Sequence, residues 1–299
     1  MKRWLFTLTL ALAAMSAQAA LNVFATVPEW AALAKEIGGD RVKVYQATHA
    51  LQDPHRIDAR PSLIAQARAA QLVVATGADL EVGWLPLVLR ESGNSRIQPG
   101  QPGYFEAASA VRMLEVPKVL DRAHGDVHAA GNPHIQTDPR NILRVAEVLA
   151  ERFVQLDPAE AMSYRTGLQS FVARWREAMA RWEKEAAPLR GVPVLVQHRA
   201  FPYLADWLGL REVGALEAKA GVEPTSGQLS EVLARQQTDP ARMVIRAAYQ
   251  YDTPSKWLAE RAKIPAVALP FTVGGTPEAG DLFALFDDTV RRLVKAAKP

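Results

Sequence analysis

Short apolar runs and amphipathic stretches alternate along most of the chain, and the two patterns predict strands and helices in turn. In the first half, Leu21–Ala25, residues 42–45 and residues 71–77 predict strands. Thr26 or Pro28 opens a helix to about Ile37, stopped by Gly38-Gly39, and residues 62–70 and 81–89 predict two more helices. Residues 92–103 are rich in Gly, Pro, Ser and Asn and read as irregular, with a weak strand expected at 111–114. Asp138-Pro139 starts a helix that reaches Phe153. In the second half, residues 192–196, 242–245 and 266–269 predict strands. Residues 200–208, 228–237, 255–262 and 281–296 predict the intervening helices.

One stretch stands apart. From Asp157-Pro158, the residues Leu168, Phe171, Val172, Trp175, Met179, Trp182, Ala186 and Leu189 recur at helical spacing on a single face. A helix of this length exceeds an ordinary crossover and reads as a strut. The expected fold class is therefore α/β, with two lobes of parallel sheet flanked by helices, one long rigid helix joining them, and a cleft between. The expected boundaries are a leader over 1–19, an N-terminal lobe over 20–156, the linking helix over 157–189 and a C-terminal lobe over 190–299.

Composition narrows the chemistry. The 299 residues are 49% apolar, enough for a large core, and contain no cysteine. Any transition-metal site must then use His, Asp, Glu or water. Lys2 and Arg3, an apolar stretch from Trp4 to Met15, and Ala17-Gln18-Ala19 read as a secretory signal cleaved near Ala19. The apolar stretch is short for a membrane span, and the absence of cysteine argues against a lipid anchor, so an exported soluble monomer is expected. Removing Lys2 and Arg3 leaves 33 basic against 32 acidic residues, which gives no sign of nucleic-acid binding.

Three of the six histidines sit where strands should end. His198 follows the apolar run 192–196, and in open α/β sheets ligands bind beyond the carboxyl ends of strands. His55 and His134 occupy matching Asx-Pro-His triplets, Asp53-Pro54-His55 and Asn132-Pro133-His134, whose prolines fix the backbone before the ring. Singly, each is more readily a solvated or hydrogen-bonded residue than a ligand. Together they are expected to converge on one metal ion. His124 and His128 read as part of an exposed polar loop, with transient metal collection as the sharper alternative. His49 reads as solvated or structural.

At these residues the chain resembles the metal-specific solute-binding proteins of bacterial ABC importers, the zinc/manganese cluster. Asp53-Pro54-His55 with Arg60-Pro61-Ser62 is similar to that family's DPH…PS segment, and residues 132–139 resemble its DPHxWxDP segment. His198-Arg199-Ala200-Phe201-Pro202-Tyr203-Leu204 resembles its HxAFxYL segment, residues 70–81 its strand with Gly77 and Glu81, and Gly221-Val222-Glu223-Pro224-Thr225 its GxEPS loop. The resemblance spans nearly all of the mature chain. It implies two α/β lobes joined by a long helix, a metal held between them by His55, His134 and His198, and delivery to a membrane permease paired with an ATPase. Histidine rather than glutamate at position 198 is the zinc-type pattern. Asn132 and Gln136 depart from the family's Asp and Trp, and Val273 stands where its fourth ligand, an Asp, often falls. Water is the first expectation for that fourth position, with Asp281, His49 or a carboxylate near the cleft behind it.

These readings converge on periplasmic capture of a divalent transition metal, zinc first and manganese less favoured, with a nearby carboxylate or hydroxide offsetting the ion's charge. A histidine-only site would also suit copper on intrinsic affinity. The alternative is a secreted zinc-dependent hydrolase with three histidines and a water. It would require a positioned general base, for which Glu223 and Asp281 are the candidates.

Overall fold

The computed structural model describes residues 19–117 and 128–298. Residues 1–18 of the expected leader, and His124, lie outside those residues.

Two four-stranded sheets carry the fold, and every strand pairing in both is parallel. The first contains β1 (Leu21–Ala25), β2 (Val42–Gln46), β3 (Leu72–Ala75) and β4 (Tyr104–Glu106), in the order β2-β1-β3-β4. The second contains β5 (Pro193–Val196), β6 (Arg211–Ala215), β7 (Met243–Ala247) and β8 (Ala266–Leu269), in the order β6-β5-β7-β8. The two sheets thus share one topology. In each, the chain reverses its direction of travel across the sheet beside the first strand, and such a switch point opens a crevice at the strands' carboxyl ends.

Strand alternation sorts the side chains. In β1, Val23 and Ala25 enter one apolar cluster while Phe24 enters another. In β5, Val194 and Val196 enter the first cluster and Leu195 a third. This is the two-residue period of a sheet covered on both faces. Facing residues of both sheets share a single cluster, completed by the helices α1 (Pro28–Gly38), α4 (Pro139–Leu156), α5 (Ala161–Glu185), α6 (Pro202–Leu208) and α9 (Leu282–Ala297). The outer faces are covered separately. Helices α2 (Pro61–Ala69) and α3 (Leu85–Ser92) cover the first sheet, and α7 (Ser226–Arg235) and α8 (Thr253–Ala262) the second.

Helix α5 carries the predicted apolar stripe. Phe171, Trp175 and Trp182 are fully buried on it, joined by Tyr164 and Ala178. Each such side chain contributes roughly 1.5–3 kcal/mol by leaving water, so the helix is held by packing rather than by intrinsic propensity.

Three local expectations fail for identifiable reasons. The fourth strand lies at Tyr104–Glu106, not at 111–114. Around the latter, Leu114 N–H donates to the Tyr203 hydroxyl at 3.0 Å and Glu115 takes a φ of +53°, which no strand permits. Helix α3 begins at Leu85 rather than Glu81. The Glu81 carboxylate instead folds back to accept the Thr76 and Gly77 amides, and Gly77, Ala78 and Asp79 all have positive φ. Strand β6 escapes prediction because it lies at a sheet edge and reads Arg-Glu-Val-Gly-Ala.

Candidate metal centre

His198 is placed by β5, two residues past its end, and is buried. His55 and His134 are placed by the same device. The Asp53 carboxylate accepts the His55 amide at 3.0 Å, and the Asn132 side-chain oxygen accepts the His134 amide at 3.1 Å. An Asx side chain bonding the amide two residues on forms a tight turn, and the intervening proline fixes its first φ. That is the physical content of the repeated triplet.

The three rings meet. Their centroids lie 5.3 Å apart for His55 and His134, 5.7 Å for His134 and His198, and 6.2 Å for His55 and His198. Two imidazoles on one tetrahedral zinc, with Zn–N near 2.0–2.1 Å, place their centroids about 5.2 Å apart. As the side chains stand, no group of three or more His, Cys, Asp or Glu among the described residues has the geometry to hold a metal ion. The excess is largest, about 1 Å over the zinc value, between His55 and His198, which come from different lobes.

Buried ring nitrogens without a hydrogen-bond partner include Nε2 of His55 and Nδ1 of His134. Orphaned buried polar atoms are costly, and a bound cation would satisfy both. His55 and His198 are oriented from behind. The Asp53 carboxylate accepts from His55 Nδ1 at 2.9 Å, and the Glu217 carboxylate from His198 Nδ1 at 2.8 Å. A carboxylate on Nδ1 leaves the Nε2 lone pair for a metal and strengthens it as a donor. These two carboxylates also match the charge of a divalent cation from one bond further out. Burial raises the Asp53 carboxyl, but the hydrogen bond and charge of His55 outweigh it and hold the group below its usual range. His134 is held neutral, well below the usual imidazole range, by burial and by the three neighbouring rings of His55, His198 and His128.

The lobes are stitched around the cluster. Arg56 donates to the Gly221 carbonyl at 2.8 Å, Asn132 to the Arg199 carbonyl at 2.7 Å, and the Tyr203 hydroxyl to the Asn132 carbonyl at 2.8 Å. Phe271 packs edge-on against His134 with centroids 5.3 Å apart.

Asp281 and His49, two of the substitutes expected for the fourth position, are engaged or placed elsewhere. Asp281 caps α9, accepting the Ala284 amide at 2.8 Å. His49 is exposed, and no ring contact joins it to the clustered histidines among the described residues. His128, read from the sequence as exposed loop, is instead half-buried with its ring 5.4 Å from that of His55. The sequence marks it only through the alternative reading of its loop as metal-collecting, because the contact itself depends on how the following turn is anchored.

A two-sheet α/β scaffold that gathers histidines at its strand ends defines a metal-binding protein class. Residues 23–296 match the family described as "ZnuA: Zinc-uptake complex component A periplasmic", and the chain belongs to it. The chain is similar to the "Metal ABC transporter substrate-binding lipoprotein ScbA" of Streptococcus cristatus, 23% identical over 88% of this chain and 84% of that one. It is also similar to the "Manganese ABC transporter substrate-binding lipoprotein PsaA" of Streptococcus pneumoniae, 22% identical over 88% and 84%. The fold is shared with a solved structure described as "Crystal structure of ZnuA", with a TM-score of 0.78 at 21% identity, covering 93% of this chain and all of that one. No helix among the described residues is long and apolar enough to cross a membrane.

Proposed function

We propose that this protein captures a divalent transition metal outside the cytoplasm and delivers it to an ABC import permease. His55, His134 and His198 are its ligands. The observation that carries this reading is the gathering of three rings from distant segments, two of them with buried nitrogens that lack a partner. Export of a soluble monomer, cleaved near Ala19, and division into lobes over 20–156 and 190–299 around a linking helix fit the same reading.

Zinc is the first-choice cargo. Relatives are named for manganese, a metal that favours carboxylate, carbonyl and water oxygens. Here the two carboxylates bonded to the rings, Asp53 and Glu217, are occupied behind them, leaving imidazole to face the ion. The hydrolase alternative has no support from the family or the relatives.

The test is native mass spectrometry with elemental analysis of protein purified from the exported fraction. One zinc per chain is expected. Protein that arrives loaded with manganese, or that takes up no metal when zinc is supplied, would refute the reading. In a competition titration with a chelating dye, His198→Ala should weaken zinc binding more than about ten-fold.

A further inference from the structure

A second cavity lies apart from the histidines, lined only by residues that precede α4. It holds about 370 Å³, against about 340 Å³ for the cavity beside His134, His198 and Glu217. That volume falls in the range of roughly 300–1,000 Å³ typical of small-molecule sites, and it exceeds any single amino-acid side chain. The lining has two chemistries. Val82, Leu85, Leu89 and Pro99 supply apolar surface, and Val82 is left 64% exposed at it. Asp79 and Glu106 supply carboxylates, and among the described residues no lysine, arginine or histidine lines the cavity.

Glycine brings the loop after β3 against the end of β4. Gly77 has a φ of +77°, and a Cβ there would come within 2.8 Å of the Glu106 side chain. Ala78 and Asp79 continue the left-handed path at +50° and +63°, which costs residues with a Cβ. Glu106 is held in place by Tyr104, whose hydroxyl donates to Oε1 at 3.0 Å. Burial and the Glu106 charge push the Tyr104 phenol up, so it stays a donor. The third carboxylate, Glu81, is engaged within the lobe by the Thr26 hydroxyl at 2.6 Å and by the Thr76 and Gly77 amides. Asp79 and Glu106 thus leave negative charge beside apolar surface with no cation to match it. The complement is a cationic head on a hydrocarbon stem, since buried charge needs a partner and the apolar wall needs cover.

We infer that this cavity binds a small free alkylammonium ion, its head at Asp79 and Glu106 and its hydrocarbon against Val82, Leu85, Leu89 and Pro99. The site shares no lining residue with the metal centre, so it stands apart from the metal reading.

Isothermal titration of the full chain with hexylamine, ammonium chloride and hexanol tests both halves of this chemistry. Hexylamine should bind saturably, at least about ten-fold more tightly than either of the others. Glu106→Gln keeps an acceptor for Tyr104 but removes the charge. It should weaken hexylamine about ten-fold and leave zinc affinity unchanged, and circular dichroism verifies its fold. His198→Ala should do the reverse. Hexylamine that binds no tighter than ammonium or hexanol, or that binds Glu106→Gln like the parent, would overturn the inference. Loss of hexylamine binding in His198→Ala would move the amine to the metal centre and overturn it as well. Nα-acetyl-lysine amide binding as tightly as hexylamine would assign the cavity to a protein side chain instead of a free amine.

Discussion

Glu29 and Thr272, 243 residues apart, share a hydrogen bond that crosses between the lobes: the Thr272 hydroxyl donates to the Glu29 carboxylate. Glu29 stands in the first turn of α1 and Thr272 just beyond β8, and both are buried. Burial, opposed by that hydrogen bond and helped by the charge of Glu81, pushes the Glu29 carboxyl up to about 7. The folded state thus favours the protonated form. Its contribution to stability is complete below the ordinary value of 4.5 and is lost as pH rises through 7. Glu29→Gln keeps the neutral form at every pH. It should match the parent near pH 4.5 and exceed it at pH 8 by up to ~3 kcal/mol. Urea denaturation at the two pH values measures this, and equal stability at pH 8 would contradict it. Thr272→Val, which strips the carboxylate of its cross-lobe donor, should cost about 1–3 kcal/mol at pH 8.

Phe271, next to that bond, holds a φ of +67°. This left-handed conformation costs a residue with a Cβ roughly 1–2 kcal/mol. Its ring offsets the strain by packing against His134, Phe201 and Tyr249, with centroids 5.3, 5.8 and 5.4 Å away. Two substitutions separate these effects. Phe271→Ala loses the ring and keeps the strain, whereas Phe271→Gly loses the ring and relieves it. The glycine variant should therefore be the more stable of the two by ~1 kcal/mol, reversing the usual order. A thermal midpoint for the alanine variant equal to or above that of the glycine variant would show that the backbone is not strained there.

Such residues mark the boundary of what the linear sequence discloses. Apolar period and turn residues disclose the buried strands β1, β3, β5 and β7 and the stripe on α5, because their side chains answer to local geometry. The Asx-Pro-His triplets disclose His55 and His134 for the same reason, since the turn that aims each ring is complete within three residues. Edge strand β6 lacks that signal because one of its sides has no strand to pair with. His128 lacks it because Asp79, which anchors its turn, is 50 residues away in the chain. The two carboxylates behind the rings differ similarly: Asp53 lies beside His55 in sequence, whereas Glu217 reaches His198 only through the pairing of β5 with β6.

Trp182 tests whether the lobes stand or fall together. Its ring packs on Trp175, Phe286 and Trp207, from α5, α9 and α6, and its indole N–H donates to Asp287 at 2.6 Å. Trp182→Ala should cost about 3–5 kcal/mol. Because both sheets feed one apolar cluster, the loss should appear as a shift of a single unfolding transition, followed by circular dichroism and fluorescence in parallel. Two separated transitions, one for each lobe, would show that the shared cluster does not couple them.

Glu217 offers the sharpest separation of metal binding from folding. Its Oε2 accepts from His198 Nδ1 and, at 2.8 Å, from Gly221 N–H, so one atom orients the ring and tethers the loop that Arg56 grips from the other lobe. Glu217→Ala frees the imidazole to rotate and to exchange tautomers while leaving the ligand itself in place. Partners of this kind typically carry 10–100-fold in metal affinity, so zinc binding should weaken by about that factor. Stability without metal should change little, because the side chain lies at the cavity wall rather than within the apolar core. Glu217→Gln, whose amide oxygen can still accept one of the two hydrogen bonds, should recover part of the loss. A dye-competition titration paired with metal-free denaturation reads the two quantities apart. An alanine variant that keeps full zinc affinity would mean that His198 is oriented by something other than this carboxylate.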